Sequence, residues 1–274
     1  MKMTFIEPRA ELKNHIKSIW VLESPIGMPS SAKSIAAPNG CAKIIINIEN
    51  SIISNVDGKS QASKEHGSYF AGNRDIPVQI STPLRYTCFI GIEFYPHGAY
   101  PIFGIPMSET ANNLLPLDVL LEKFEKRFDE ILRNLESIKD KIDFLQNCFI
   151  NKLKHKQLNN PLVSFCVKTL RASNGLLEIS ELEKTTGYSK RYLEILLKNH
   201  TGFTPKSLAS IFRFQKFYSG WAHGKTYSEL KEELNNYYFD QAHFIKEFKR
   251  MTGFSAQQYT KEVPNEFGRQ LALH

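Results

Sequence analysis

Three patterns of apolar and polar positions succeed one another along the chain. Residues 1 to about 115 carry β-branched and aromatic runs, "AKIIINIEN" at 42–50 and "RYTCFIGIEFYP" at 85–96, bounded by Gly, Pro or Asn. Asn39-Gly40 and Asp57-Gly58 are turn dipeptides between such runs. The pattern predicts strands, then a short helical turn after Pro96 that Pro101 and Gly104 interrupt. The second pattern advances in steps of four and three: Leu117, Leu121, Phe124, Phe128, Ile131, Leu135, Ile138, Ile142, Leu145 and Phe149, with charged residues between. Such heptad spacing suits one coiled-coil helix pairing with a second chain, or two antiparallel helices packed on their own domain. The hairpin is favoured, because Asn134 and Ser137 are weak helix formers and Ser137 can cap a new helix. The third pattern opens at Asn159-Asn160-Pro161, with Pro in a first turn, and reads as helix after helix to about residue 262. Residues 264–274 read as a polar tail.

Within the third stretch one phrase occurs twice. "YSKRYLEILLKNHTGFTPKSL" at 188–208 returns 51 residues later as "FDQAHFIKEFKRMTGFSAQQY" at 239–259. Before the first copy, Ile179, Leu182 and Thr186 share one face of a short helix. Gly187 can take the positive φ that a tight turn between helices needs. Ser189 follows as an N-cap, and Leu193, Leu196 and Leu197 form the buried face of the next helix. Lys190, Arg191 and Glu194 are left outward near its N-terminus. This is a helix-turn-helix, whose second helix can enter a DNA major groove. Between the copies, Leu208, Ile211, Phe212, Gln215 and Tyr218 predict a helix from about Pro205 to Trp221. Its length of roughly 25 Å, at 1.5 Å per residue, suits a spacer between two heads addressing successive major grooves.

Charge sharpens this reading modestly. Lys+Arg against Asp+Glu is 19 against 17 for residues 1–157 and 16 against 11 for 158–274, so +5 of the net +7 lies in the C-terminal part. That favours a polyanionic partner. No window approaches 18 consecutive apolar residues, and the first ten residues lack a signal-peptide core, so a cytoplasmic protein without membrane contact is expected. Cys41, Cys88, Cys148 and Cys166 are far apart and read as reduced thiols.

Residues from about 160 to 262 resemble the DNA-binding domain of the AraC/XylS family of bacterial transcription regulators. The likeness is carried by "GYSKRYLEILLKNHTGFTPKSL", by "RFQK" at 213–216 and by "FDQAHFIKEFKRMTGFSAQQY". "YFAGNRDIPVQIS" (69–81) and "GIEFYPHGAYPIFGIPMSETANN" (91–113) are similar to the β-barrel sensor domain of a subset of that family. The resemblance places base-reading positions of the first head at Lys190, Arg191, Glu194 and Ile195, and of the second at Gln241, Ala242, His243 and Lys246. Ser189, Lys198, Lys249 and Arg250 complete the expected DNA-contacting set. Arg191 can bond guanine bidentately, Glu194 can accept from cytosine N4, Gln241 can bond adenine, and Ile195 and Ala242 can touch thymine methyls. The second head departs from the family pattern: "YSELKEELNNYYFDQ" has no turn Gly and no small helix residue. Asn235 or Asn236 can supply the left-handed conformation, and the preceding helix is expected to be displaced or shorter.

The expected architecture is α+β: a β-rich, barrel-like sensor domain (1–115), a helical connector with a potential dimerisation role (116–157), and an all-α DNA-binding domain (158–264) with two helix-turn-helix motifs joined by a linker helix. The expected partners are double-stranded DNA, a small-molecule effector, RNA polymerase in the case of an activator, and a second copy of the chain. No catalytic residue, cofactor or metal is expected, since Glu93, His97 and His66 lack a nucleophile motif or a His-x-His pair. Isolated Cys41 and Cys88 argue against a zinc-bound, methyl-accepting domain. The rival reading is a protein-interaction module using the heptad-spaced helices. Trp20, Phe70, Phe94 and Tyr95 are candidates for a ligand cavity or for plain core.

Overall fold

The computed structural model describes residues 1–28, 34–120, 128–156, 158–234, 237–238, 240–262 and 266–273. Among the described residues, ten strands form two antiparallel sheets: β1 (Lys2–Ile6), β2 (Ile16–Ser24), β3 (Ile35–Ala36), β4 (Lys43–Glu49), β5 (Ile53–Val56), β6 (Lys59–Ala62), β7 (Ser68–Ala71), β8 (Val78–Ser81), β9 (Thr87–Phe94) and β10 (Leu114–Pro116). The larger sheet runs β1-β2-β9-β4-β7-β10 and the smaller β3-β8-β5-β6. Asp57 and Gly58, both at positive φ, make the two-residue turn that pairs Val56 with Lys59.

The two faces of the larger sheet have different duties, because side chains alternate along each strand. Ile19, Ile92, Ile44 and Phe70 are cross-strand neighbours on one face and are all fully buried under helices. Trp20, Gly91, Ile45 and Tyr69 form the adjacent row on the opposite face, toward the smaller sheet. A side chain at Gly91 would lie 2.0 Å from the indole of Trp20, so this glycine is what lets the ring lie across the strand.

Five helices cover the first face: α1 (Tyr100–Phe103), α2 (Met107–Thr110), α3 (Leu117–Leu120), α4 (Phe128–Asn134) and α5 (Ile138–Lys156). Phe149 of α5 meets Phe94 and Phe103 with ring centroids 5.9 and 6.2 Å apart. The heptad-spaced stretch is therefore folded back on its own chain. The break falls at 135–137, and the Ser137 hydroxyl accepts from the Asp140 amide at 3.0 Å. The Lys141 ammonium reaches back to the Leu132 and Leu135 carbonyls, where a cation suits a helix C-terminus. Leu117, Phe128, Ile142, Leu145 and Phe149 are buried, whereas Ile131 is 42% exposed and Leu132 is buried in its stead. Leu121 and Phe124 lie outside the described residues.

The remainder is helical: α6 (Pro161–Ala172), α7 (Ile179–Thr186), α8 (Lys190–Thr201), α9 (Pro205–Ala222), α10 (Tyr227–Leu234), α11 (Gln241–Thr252), α12 (Ala256–Glu262) and α13 (Glu266–Leu273). Asn160 caps α6 by accepting from the Leu162 and Val163 amides. The long helix α9 is the spine of this part, with Leu208, Ile211, Phe212, Phe214 and Tyr218 in a core shared with Leu182, Leu193, Leu197, Phe244 and Phe248. The expected polar tail is corrected by α13, which packs on α9 and β3. Phe267 and Leu271 stand one helical turn apart, and Phe267 is almost fully buried.

The β-rich and helical parts touch along a broad front. Gln215 of α9 donates to the Pro38 carbonyl at 2.5 Å, and Ile35 belongs to the helical core. Tyr100 and His200 pack ring to ring at 4.1 Å, and Arg171 lies over Tyr95.

Candidate nucleic-acid interface

Each copy of the repeated phrase folds into the same local device. Gly202 and Gly253 end α8 and α11 in the left-handed region, at φ 79° and 81°. The Thr201 hydroxyl donates to the Leu197 carbonyl at 2.7 Å and accepts from the Phe203 amide at 3.2 Å. Thr252 does the same with Phe248 at 2.9 Å and Phe254 at 3.2 Å. Thr204 and Ser255 then cap the next helices, accepting from Ser207 and Gln258 amides, each at 3.2 Å. The shared Thr-Gly-Phe thus reads as a brace that turns the chain out of one helix and starts another.

The opposite ends of α8 and α11 are outward and capped. Ser189 accepts from the Tyr192 amide at 3.4 Å, and Asp240 from the His243 amide at 2.6 Å. Gly187 takes φ 74° between α7 and α8, and the Glu183 carboxylate receives the Lys190 amide at 2.6 Å. Lys190, Arg191, Ile195 and Lys198 are exposed and Glu194 is half-buried. Gln241, Ala242, His243, Lys246, Lys249 and Arg250 are also exposed. Both faces combine donors, acceptors and an apolar contact point, the chemistry that base edges require. Ile195 is 62% exposed.

Two features fall outside the sequence reading. Tyr192 sits 51 residues before His243, is 44% exposed and stacks on Tyr188 at 4.8 Å. It occupies the position in α8 that His243 occupies in α11. Arg250 donates to the Asp75 backbone carbonyl at 3.0 Å and meets its carboxylate at 3.4 Å. That guanidinium is engaged with the β-rich part, leaving Lys246 and Lys249 on this head without such a tether.

The helix before α11 is not shortened. α10 has eight residues, like α7, yet ends six residues before α11 begins, where α7 ends three before α8. Asn235 and Asn236 lie outside the described residues. Tyr238 packs against Phe244 at 5.1 Å and beneath Arg213, and its burial pushes the phenol pKa up. A buried aromatic thus anchors this connection.

The imagined acid–base group in the β-rich part is otherwise employed. Glu93 is buried and ion-paired to Lys17 at 2.7 Å and Lys43 at 3.2 Å. Burial alone would raise its pKa, but the two ammonium charges outweigh it and hold the carboxyl down to about 2. His97 is pushed down to about 4 by burial and by His15, Lys168 and Arg171 nearby. Among the described residues no cluster of His, Cys, Asp or Glu has metal-ligand geometry, and Cys41, Cys88, Cys148 and Cys166 are free thiols. None of the described helices is long and apolar enough to cross a membrane.

Between the two sheets lies a partly open cavity of about 90 Å³. Its apolar wall includes Trp20, Ile45, Tyr69 and Phe89, and its polar edge Asn47 and Arg74. Of the four aromatic candidates, Trp20 lines it, whereas Phe70 and Phe94 lie in the core on the other face of the sheet.

A family model described as a domain of unknown function (DUF6597) matches residues 4–116. No curated protein matches the chain by sequence. Among solved structures, it is similar to unsaturated fatty acid bound wild-type ToxT from Vibrio cholerae strain SCE256, at 11% identity over 94% of this chain and 98% of that one, with a TM-score of 0.48. A further crystal form of Vibrio cholerae ToxT gives 11% identity over 88% and 97%, with a TM-score of 0.46. The EutQ protein of Clostridium difficile is similar over 34% of this chain and 65% of its own, at 13% identity and a TM-score of 0.25.

Proposed function

We propose that the protein is a sequence-specific, double-stranded-DNA-binding transcription regulator of the AraC/XylS type. The observation that carries this reading is the structural duplication: two capped helices with outward polar and basic N-terminal faces, on either side of one rigid helix. The 18 residues of α9 span about 27 Å, a length suited to heads near one turn of DNA apart. In this reading residues 158–264 are the DNA-binding domain and residues 1–157 the controlling one. The first head, with Lys190, Arg191, Tyr192, Glu194 and Ile195, carries most of the base discrimination. The second contributes Gln241 and His243 at base edges and Lys246 and Lys249 at phosphates. The cavity between the sheets is the proposed effector site, and the protein acts in the cytoplasm, on RNA polymerase where it activates.

The rival interaction-module reading loses its surface, because most of the heptad-spaced side chains described are buried within the chain. Selection of bound sequences from a random DNA pool by the full-length protein tests the proposal. Enrichment of two half-sites about 10 base pairs apart is expected. A pool that emerges without enrichment overturns it.

A further inference from the structure

The helix read from sequence as a tail enters the wall of the cavity. Phe267 and Leu271 of α13 are cavity-lining residues, and Phe267, at 3% exposure, shares a small apolar cluster with Trp20, Leu22, Ile52 and Phe89. The outer side of α13 is held to the spine of the helical part. Arg269 donates through Nε to the Ala222 carbonyl, the last residue of α9, at 3.1 Å, and its guanidinium lies over Trp221 at 5.6 Å. The neighbouring wall has the same double contact. Ala36, Ala37, Pro38 and Asn39 line the cavity, while the Pro38 carbonyl receives Gln215 of α9.

The cavity also holds polar groups that the described residues leave unsatisfied. The Trp20 Nε1 and Asn47 Oδ1 atoms are buried without a hydrogen-bond partner, and these side chains are 2% and 1% exposed. Arg74 donates to the Asn112 carbonyl at 3.2 Å, and among the described residues no carboxylate lies within ion-pair distance of it. A buried donor without a partner is costly in an apolar cavity, and the half-buried Arg74 guanidinium beside it can meet an acceptor-bearing ligand.

We propose that α13 is an intramolecular occupant of this cavity, displaced by an apolar ligand carrying one anionic group that meets Arg74. Phe267 and Leu271 fill space that the apolar body of the ligand would take. The same displacement strains the Arg269 contact with the end of α9, so occupancy is communicated to the spacer between the heads. That last step rests on the DNA-binding reading. The competition itself does not.

The experiment uses full-length protein without DNA and two dyes, 1-anilinonaphthalene-8-sulfonate and its uncharged parent N-phenyl-1-naphthylamine. Phe267→Ala opens the cavity from within, and Arg269→Ala loosens α13 without altering the lining. Both variants should bind the sulfonate dye about tenfold more tightly than the wild type, by fluorescence titration. In the wild type, saturating dye should speed amide hydrogen exchange in residues 266–273. Arg74→Ala should weaken the sulfonate dye and spare the uncharged one. Unchanged affinity in both α13 variants, or unchanged exchange in the dye-bound wild type, overturns the occupant role. Equal weakening of both dyes by Arg74→Ala overturns the anionic ligand. Because DNA is absent, failure of these measurements is distinct from failure of DNA binding.

Discussion

Arg191 and Lys249 occupy opposite ends of similar helices, and they are expected to fail differently when removed. Arg191 is in the first turn of α8, beside Glu194, where a planar guanidinium can bond guanine O6 and N7. Arg191→Ala should cost about 1–3 kcal/mol and relax preference at one base pair. Lys249 lies in the last turn of α11, away from the capped N-terminal end, where its ammonium suits a phosphate. Its replacement by Ala should weaken all sequences alike and lower the salt slope by about one. Titration against the selected site and its single-base variants, at several salt concentrations, separates the two outcomes. Glu93 offers a test independent of DNA. Its carboxyl is held near 2 in the folded protein against an ordinary 4.5, so it contributes stability above pH 4.5 that is lost as pH falls toward 2. His97 acts in a higher window: neutral when folded down to about 4, it loses its contribution as pH falls from 6.5 to 4. Glu93→Gln should flatten only the lower part of the pH–stability curve, and His97→Gln only the upper, by denaturant unfolding at each pH.

The braces and caps hold the ends of α8 and α11. Ser189 and Asp240 each satisfy an amide that α8 or α11 would otherwise leave open. Ser189→Ala should cost about 1 kcal/mol of stability, with far-ultraviolet circular dichroism nearly unchanged. Gly253→Ala should cost about as much or more, because its φ of 81° is strained for any side chain and no neighbour lies within 4 Å to blame instead. The Ser189 cap and the Gly187 turn were legible in the sequence because capping and left-handed turns are local chemistry. Six residues now connect α10 to α11, and their anchor is Tyr238 under Arg213. That anchor was not legible, since Arg213 comes from the middle of α9, far away in sequence.

At the scale of the whole molecule, the two parts restrain one another. Arg250 on the second head is bonded to Asp75 beside the cavity residue Arg74. Asp75→Ala removes the 3.4 Å carboxylate contact and keeps the 3.0 Å bond to the Asp75 backbone carbonyl, so it should loosen the second head in part and raise affinity for all DNA sequences modestly, without changing base preference. Unaltered binding in an electrophoretic or fluorescence titration would show that the contact has no bearing on the heads. The helical hairpin of α4 and α5 uses its apolar positions against the sheet, so Phe149→Ala is expected to cost about 3–5 kcal/mol. Its unfolding midpoint should not depend on protein concentration, as it would if those positions joined two chains.

Repetition, caps and β-branched runs by themselves determined β4 and β9, the break at Ser137, and the two repeated helices on either side of α9. Each of these rests on residues within a turn or two of one another, where backbone geometry and hydrogen bonding are local. Tertiary structure alone decided which face of the large sheet became core and which became cavity. Ile44 and Ile45 are chemically identical neighbours, and only the layer packed against each distinguishes them. It also decided the fate of the last residues. Eight residues with two apolar side chains one turn apart bury little surface alone, and a helix that short is marginal in water. Only the meeting of α9 with the open edge of the cavity supplies a place where Phe267 and Leu271 are covered on one side and Arg269 is bonded on the other.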